Sequence, residues 1–178
     1  LRTLIDKQWH TQPPTQSPAD WLTDQLTDVT NEQGLASVLR ECRHLYMSSI
    51  AWRDLTNQLQ IEASLSEVSE LADALINAAY DWLYNALTTR YGQPMGSEGP
   101  LPMFILGMGK LGGKELNYSS DIDLIFAYPE KGDTQGGRKS IENQQFFTKL
   151  AQKLIAALNT ITVDGQVYRV DMRLRPFG

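Results

Sequence analysis

The chain has 178 residues, of which 42% are hydrophobic and 21% charged, and its formal net charge is −5. This composition is typical of a globular protein and excludes the collagen-like, disordered and disulfide-rich classes. Its single cysteine, Cys42, cannot close an intrachain disulfide, and its longest nearly apolar run, 101–108, is far shorter than the roughly 20 residues of a membrane helix. We therefore predict a cytoplasmic protein that does not associate with membranes.

The charge is divided unevenly along the chain. Residues 1–100 carry a net charge of −7 and residues 101–178 carry +2. A small positive excess around several carboxylates suits a nucleotide site better than a broad nucleic-acid surface, which is usually much more basic. We therefore expect no nucleic-acid partner. Because the chain starts with Leu1 and stops just after a strongly patterned stretch, we expect it to be a fragment of a longer protein.

Three helices are predicted in the first half of the chain, from capping signals and from apolar side chains at spacings of three and four. Their predicted starts are Ser17 with Pro18, Gly34, and a capping box at 64–67. The second helix is expected to end near Leu59 and the third at Gly92.

The composition changes between residues 92 and 100, which are rich in glycine and proline and are predicted to form a linker. We therefore predict a helical segment over 1–97 and a mixed α and β domain over 98–178. In the second part the pattern predicts a short buried strand at 103–106, a strand at 121–128, a surface loop at 130–139, a helix at 144–158 and a strand at 166–174. The predicted fold class is α+β.

A glycine-rich segment follows the first of these strands. Gly107, Gly109 and Gly112 match the spacing of the dinucleotide fingerprint, but too few residues follow them before the next strand for the helix that this fold requires. The P-loop lysine and hydroxyl pattern is also absent from the segment. Glycines let backbone amides approach a phosphate closely, and Lys110 adds positive charge. We favour anion binding by Gly107, Gly109, Lys110, Gly112 and Gly113, against the alternative of a tight turn packed on the sheet.

Two carboxylates open the second predicted strand. Asp121 and Asp123 fall on one strand face, with Cα atoms roughly 6–7 Å apart. Such a pair, preceded by a polar turn at Ser119 and Ser120, can share hard cations with water and phosphate. The alternative for an isolated Asp-x-Asp pattern is a solvated strand rim.

A third aspartate lies on the last predicted strand, where Arg169, Asp171 and Arg173 share one face. If the two strands are neighbours, Asp171 completes a cluster of three carboxylates able to hold two divalent ions, an arrangement used for in-line attack on phosphorus. Arg173 and Arg175 are then placed to bind phosphate oxygens. We predict Asp121, Asp123 and Asp171 as catalytic, metal-binding residues, with two Mg²⁺ ions expected and Mn²⁺ as an alternative.

The combination of a glycine-rich turn, an Asp-x-Asp strand and a distant aspartate resembles the nucleotidyltransferase fold shared with DNA polymerase beta. A closer resemblance is carried by residues 107–126, GMGKLGGKELNYSSDIDLIF, together with residues 170–176, VDMRLRP. These stretches resemble the bacterial glutamine synthetase adenylyltransferase/adenylyl-removing enzymes, whose chains contain two nucleotidyltransferase domains. Residues 117–123 and 175–178 are more similar to the N-terminal, adenylyl-removing half of that family.

The resemblance implies an activity and a set of partners. Phosphate would attack the AMP–tyrosine phosphodiester of adenylylated glutamine synthetase and release ADP, and the PII signal protein would be a regulatory partner. The implied nucleotide site includes the glycine segment, Ser120, Arg173 and Arg175, with ADP or ATP as ligand. Two alternatives stay open: adenylyl transfer from ATP to glutamine synthetase, and a non-catalytic module in which the acidic helices dock partners and the nucleotide fold acts as a sensor.

Overall fold

The computed structural model describes Trp9, residues 13–163 and residues 165–171. The helices are α1 (Pro18–Leu26), α2 (Glu32–Leu55), α3 (Ile61–Tyr91), α4 (Gly109–Gly112) and α5 (Asn143–Asn159), and the strands are β1 (Gly92–Gly96), β2 (Gly99–Pro100), β3 (Phe104–Met108), β4 (Ile122–Ala127), β5 (Thr134–Gly136) and β6 (Val170–Asp171). The described residues thus mix helix and sheet, as the α+β prediction requires. None of the described helices combines the length and the apolar content that crossing a bilayer requires.

The first helix begins as predicted, whereas the next two begin earlier than predicted. The Ser17 side chain accepts the amide hydrogen of Asp20 at 3.1 Å, with Pro18 in the first turn of α1. Helix α2 begins at Glu32 because Asn31, and not the region after Gly34, supplies the cap, accepting from the Gly34 amide at 2.9 Å.

The predicted capping box at 64–67 is wrong. Helix α3 begins at Ile61, and Ser64 lies inside the helix with its hydroxyl hydrogen-bonded to side chains of neighbouring segments. Helix α2 ends at Leu55, four residues before the predicted end. The predicted end of α3 at Gly92 is confirmed, since this glycine caps the helix with φ of +85°.

The predicted linker over residues 92–100 is wrong, because these residues form strands. Strand β1 pairs antiparallel with β2 and with β5, which gives a small sheet of order β2-β1-β5. A Cβ on Gly92 would lie 2.3 Å from the Gln135 carbonyl oxygen, so glycine is required for this close approach. The predicted surface loop at 130–139 accordingly contains β5, with Thr134 buried. The domain boundary near residue 97 stays a prediction.

The second sheet carries the candidate site. Its order is β3-β4-β6, with β3 antiparallel and β6 parallel to β4. One face packs on the core through Ile122 and Leu124, which are 0% and 4% exposed. The other face is open, with Phe104 and Leu106 about half exposed, so the expectation of a fully buried first strand is wrong. A continuous run of apolar side chains such as 103–106 therefore does not by itself indicate burial on both faces.

A single core joins the helical part of the chain to the sheets. Helix α3 packs against α1, α2 and α5, and its buried side chains belong to the same hydrophobic cluster as Met103, which precedes β3, and Ile122 and Leu124 of β4. The predicted helix at 144–158 is confirmed as α5, which covers the core through Phe146, Leu150 and Leu154. The helices therefore form the support on which the β3-β4-β6 sheet rests.

Candidate active site

The glycine-rich segment forms a tight turn at the end of β3. Gly109 has a φ of +56°, a conformation that favours glycine, and a Cβ at this position would lie 3.1 Å from the Asp123 Oδ2 atom. A Cβ on Gly112 would lie 2.5 Å from the Gly107 carbonyl oxygen. Both glycines are thus needed for close approach, one to the sheet carboxylate and one within the turn.

Part of the backbone of this turn is already hydrogen-bonded internally. The Gly113 amide donates to the Gly109 carbonyl at 3.0 Å, and the Lys114 amide donates to the Leu111 carbonyl at 3.1 Å. Lys110 is exposed next to the open sheet face. The turn is therefore closed in part by its own hydrogen bonds, and phosphate binding by its residues stays a prediction.

Two of the three predicted aspartates are brought together. Asp123 on β4 and Asp171 on β6 are paired positions of neighbouring parallel strands, and Met108 on β3 is the partner of Asp123 on the other side. Since paired strands lie about 4.8 Å apart and equivalent positions share a face, the two carboxylates are adjacent. They line an open cavity of about 330 Å³ together with Met108 and Ile125.

The third aspartate is engaged differently. Asp121 precedes β4, and its carboxylate forms an ion pair with the Arg169 guanidinium. This pairing, led by the hydrogen bond to Asp121, raises the pKa of Arg169. The Arg169 carbonyl also accepts the Ile122 amide hydrogen at 3.0 Å, so backbone and side-chain contacts both join the starts of β4 and β6.

The donor set fits a divalent cation on the Asp123 and Asp171 pair. Within the described residues, no basic side chain forms an ion pair with either carboxylate, and like charges at directly paired positions destabilise a sheet unless a cation compensates them. The described part of the chain, which includes all three aspartates, contains no group of three His, Cys, Asp or Glu side chains placed to hold a metal. Binding of two ions by three carboxylates stays a prediction.

The remaining residues predicted to bind nucleotide divide into two groups. Ser120 lies in the turn before β4, where its hydroxyl donates to Asn117 Oδ1 at 2.7 Å and accepts from the Asn117 amide at 3.2 Å. Ser120 thus shapes the turn, and a contact with nucleotide stays a prediction. Arg173 and Arg175 lie outside the described residues.

The sequence patterns missed the residues that hold the loop between the glycine turn and β4. The Leu116 amide donates to the buried Ser69 hydroxyl of α3 at 3.1 Å, and the Tyr118 hydroxyl donates to the Asp54 carboxylate of α2 at 2.8 Å. The Ser64 hydroxyl lies 2.8 Å from the Tyr118 hydroxyl. Only the polar character of Ser64 and Ser69 within an apolar helical stripe could have indicated these contacts from sequence.

Comparisons with known proteins identify the family of this chain. The family model for glutamate-ammonia ligase adenylyltransferase, GlnE, matches residues 1–178. A bifunctional glutamine synthetase adenylyltransferase/adenylyl-removing enzyme of Alteromonas mediterranea is 63% identical over 153 residues, which are 86% of this chain and 16% of the relative. Enzymes with the same name from Shewanella loihica and Shewanella woodyi are 55% and 56% identical, with the same two shares covered.

These comparisons first define a class, that of bacterial enzymes that modify glutamine synthetase. The chain belongs to the GlnE family of glutamate-ammonia ligase adenylyltransferases, which confirms the family predicted from residues 107–126 and 170–176. It spans about 16% of the length of the curated relatives it matches.

Proposed function

We propose that the open face of the β3-β4-β6 sheet is a nucleotidyltransferase site that removes AMP from adenylylated glutamine synthetase. The observation that carries the proposal is the parallel register of β4 and β6, which places Asp123 beside Asp171 at the edge of the glycine turn. Membership of the GlnE family supports the enzyme class and glutamine synthetase as the protein substrate. The similarity of residues 117–123 to the adenylyl-removing half supports the direction.

The proposed reaction is a phosphorolysis. An oxygen of inorganic phosphate attacks the phosphorus of the AMP–tyrosine phosphodiester, a new P–O bond forms, and the bond to the tyrosine oxygen breaks. The products are ADP and the tyrosine, whose oxygen takes up a proton, so no covalent enzyme nucleophile is required. A divalent cation held by Asp123 and Asp171 would neutralise charge on the non-bridging oxygens.

Residues of this chain have separate tasks in the proposed site. Asp123 and Asp171 would hold the cation, and the absence of a side chain at Gly109 leaves room beside the Asp123 carboxylate. Asp121 and Arg169 join the two strand starts and thereby fix the spacing of the carboxylates. Regulation by the PII signal protein is also proposed, and only the family resemblance supports it.

The test is release of ADP from adenylylated glutamine synthetase in the presence of phosphate and Mg²⁺. We expect Asp123→Asn to lower the rate at least about a hundredfold, because loss of a carboxylate ligand removes several kcal/mol of charge stabilisation. Asp28→Asn, which changes an exposed aspartate just after the end of α1, is the matched control and should retain the rate.

Three results contradict the proposal. ADP release that is absent, or that is unchanged in Asp123→Asn, excludes removal of AMP by this site. Incorporation of AMP into glutamine synthetase with ATP consumption and pyrophosphate release identifies the transfer reaction instead.

A further inference from the structure

Four large apolar side chains are exposed on the open face of the β3-β4-β6 sheet, and we call them the apolar patch. Phe104, Leu106 and Met108 alternate along β3 and are 53%, 52% and 45% exposed. Ile125 of β4 is also 45% exposed and is the partner of Leu106 across the two strands. Asp123 is the partner of Met108, so the apolar patch and the carboxylate pair share one face of the sheet.

The apolar patch begins at the carboxylate pair and extends away from it. Met108 and Ile125 line the same cavity of about 330 Å³ as the two carboxylates, whereas Leu106 and Phe104 lie outside it. The distance along β3 from Met108 to Phe104 is roughly 14 Å, at about 3.4 Å per residue. The apolar patch is therefore continuous with the proposed catalytic site and longer than the cavity requires.

The chemistry of the apolar patch favours contact with a protein over contact with a nucleotide base. None of its four side chains carries a charge, a hydroxyl or an amide. Pockets for small ligands fix their orientation through a few placed polar groups, which these side chains do not provide. The centres of protein–protein interfaces, in contrast, are depleted of charged residues and enriched in aromatic residues and methionine. Apolar side chains gathered on one exposed face are typical of such contact surfaces.

The proposed reaction requires a protein substrate to lie over this face. The AMP-bearing tyrosine has to reach a cation at the carboxylate pair, and a tyrosine side chain is much shorter than the apolar patch. The polypeptide next to the tyrosine therefore passes within contact distance of Met108 and Ile125. The opposite face of the sheet is not accessible to a substrate, since Ile122 and Leu124 are buried in the core.

We infer that the apolar patch is the docking surface for the polypeptide segment that carries the modified tyrosine of glutamine synthetase. The inference rests on the proposed function and specifies how the site recognises its protein substrate. Phe104 and Leu106 determine specificity, because they contact the segment at a distance from the reacting phosphorus. The complementary segment presents apolar side chains to the sheet.

Biolayer interferometry of the full chain on immobilised adenylylated glutamine synthetase, without phosphate or divalent cations, tests the inference. We expect Phe104→Thr combined with Leu106→Thr to weaken binding at least about tenfold, because the contact loses two large apolar side chains. In the ADP-release assay the same double variant should raise KM at least about tenfold and change kcat less than about twofold. Threonine retains strand propensity and both positions are half exposed, so the double variant should fold.

The matched control is Ile161→Thr combined with Val163→Thr. These exposed apolar side chains lie between α5 and β6, outside the apolar patch, so their removal should leave the affinity and KM unchanged. A Mn²⁺ titration should give equal affinities in both double variants and in the unsubstituted chain, because the carboxylate pair is the same in all three.

Three results overturn the inference. The first is equal binding of glutamine synthetase by the two double variants, or no binding by the unsubstituted chain. The second is a loss of AMP affinity in the Phe104 and Leu106 variant with unchanged affinity for glutamine synthetase, which assigns the apolar patch to the adenine base. The third is a dimer in sedimentation velocity that dissociates in that variant, which assigns the apolar patch to a second copy of the chain.

The inference and the proposed function fail in different ways. Binding of glutamine synthetase that depends on the apolar patch, without ADP release, contradicts only the proposed removal of AMP. ADP release whose KM is the same in the Phe104 and Leu106 variant as in the unsubstituted chain contradicts only the docking surface.

Discussion

At the scale of single residues, Gly109 affects both the backbone conformation of the glycine-rich turn and the space around the Asp123 carboxylate. We expect Gly109→Ala to lower the free energy of unfolding by about 1–2 kcal/mol, since an L side chain is strained at a φ of +56°. The new Cβ, 3.1 Å from Asp123 Oδ2, would also displace that carboxylate and weaken Mn²⁺ binding. Urea unfolding and a Mn²⁺ titration measure the two effects.

Gly113 provides the stability control for this substitution. It belongs to the same turn, but its φ is −84° and the nearest atom to an added Cβ lies at 3.5 Å. The free energy of unfolding of Gly113→Ala should therefore lie within about 0.5 kcal/mol of that of the unsubstituted chain. Equal losses of stability in the two variants would contradict the argument from conformation.

Cys42 provides a prediction that depends on pH. Burial and then the charge of Glu41 raise the pKa of its thiol from 9.0 to about 12. Only the thiolate reacts with iodoacetamide, so we expect alkylation at a pH of about 8.5 to be at least a hundredfold slower in the native chain than in guanidinium chloride. Because the folded pKa exceeds the unfolded one, stability should fall as the pH rises from about 9 towards 12. Rapid alkylation of the native chain would contradict this prediction, because it would show that the reagent reaches Cys42 in the core.

Residue-scale chemistry was only partly predictable from the sequence. The alternation around Asp123 and Asp171 predicted a shared face, and the pairing of β4 with β6 confirms it. The same alternation groups Asp121 with them; its carboxylate pairs with Arg169, which sequence patterns do not reveal, and its role as a metal ligand stays a prediction.

At the scale of secondary-structure elements, a buried ion pair joins α2 to α3. Arg53 is 5% exposed and forms two hydrogen bonds with the Glu67 carboxylate. We expect Glu67→Gln to lower the free energy of unfolding by about 2–4 kcal/mol, because it leaves a buried guanidinium uncompensated, with some relief from solvent at Glu67. Chemical denaturation measures the change.

The exposed pair between Lys153 on α5 and Glu32 on α2 is the control for this prediction. Because solvent screens these charges, Lys153→Gln should lower the free energy of unfolding by less than about 1 kcal/mol. If Glu67→Gln and Lys153→Gln lower the free energy of unfolding equally, burial of Arg53 does not determine the strength of its ion pair.

Secondary-structure elements were predicted well where a periodic apolar pattern was long. They were predicted poorly where a segment becomes a strand only by pairing with another strand. The presence of the helices of the first half and of α5 followed from capping signals and apolar spacing, although α2 and α3 begin earlier than predicted. Strands β1, β2 and β5 could not be predicted, because each is five residues or fewer and contains glycine or proline that usually marks a turn. Strand β1 pairs with β5, which is distant in sequence, and β2 pairs with the adjacent β1.

At the scale of the whole molecule, the helices supply hydrogen bonds that the sheet region needs. The Met103 amide donates to the Tyr80 hydroxyl at 3.1 Å, and the Tyr84 hydroxyl donates to the Leu101 carbonyl at 2.9 Å. Together with the Ser69 contact to Leu116, these bonds satisfy backbone groups at both ends of the site region. A chain without the helices would leave these groups and a large apolar surface unpaired.

We therefore expect residues 98–178 expressed alone not to fold cooperatively. Proton NMR dispersion and a thermal melt monitored by circular dichroism measure this, with the full chain as control. A dispersed spectrum and a cooperative melt would contradict the expectation and would support an independent domain with a boundary near residue 97.

The parallel pairing of β4 with β6 also determines when the site can exist. Asp171 follows Asp123 by 48 residues, and α5 lies between them. During synthesis the first carboxylate, the glycine turn and the described helices leave the ribosome before the second carboxylate does. A ligand that needs both carboxylates therefore cannot bind its complete site until Asp171 has been made.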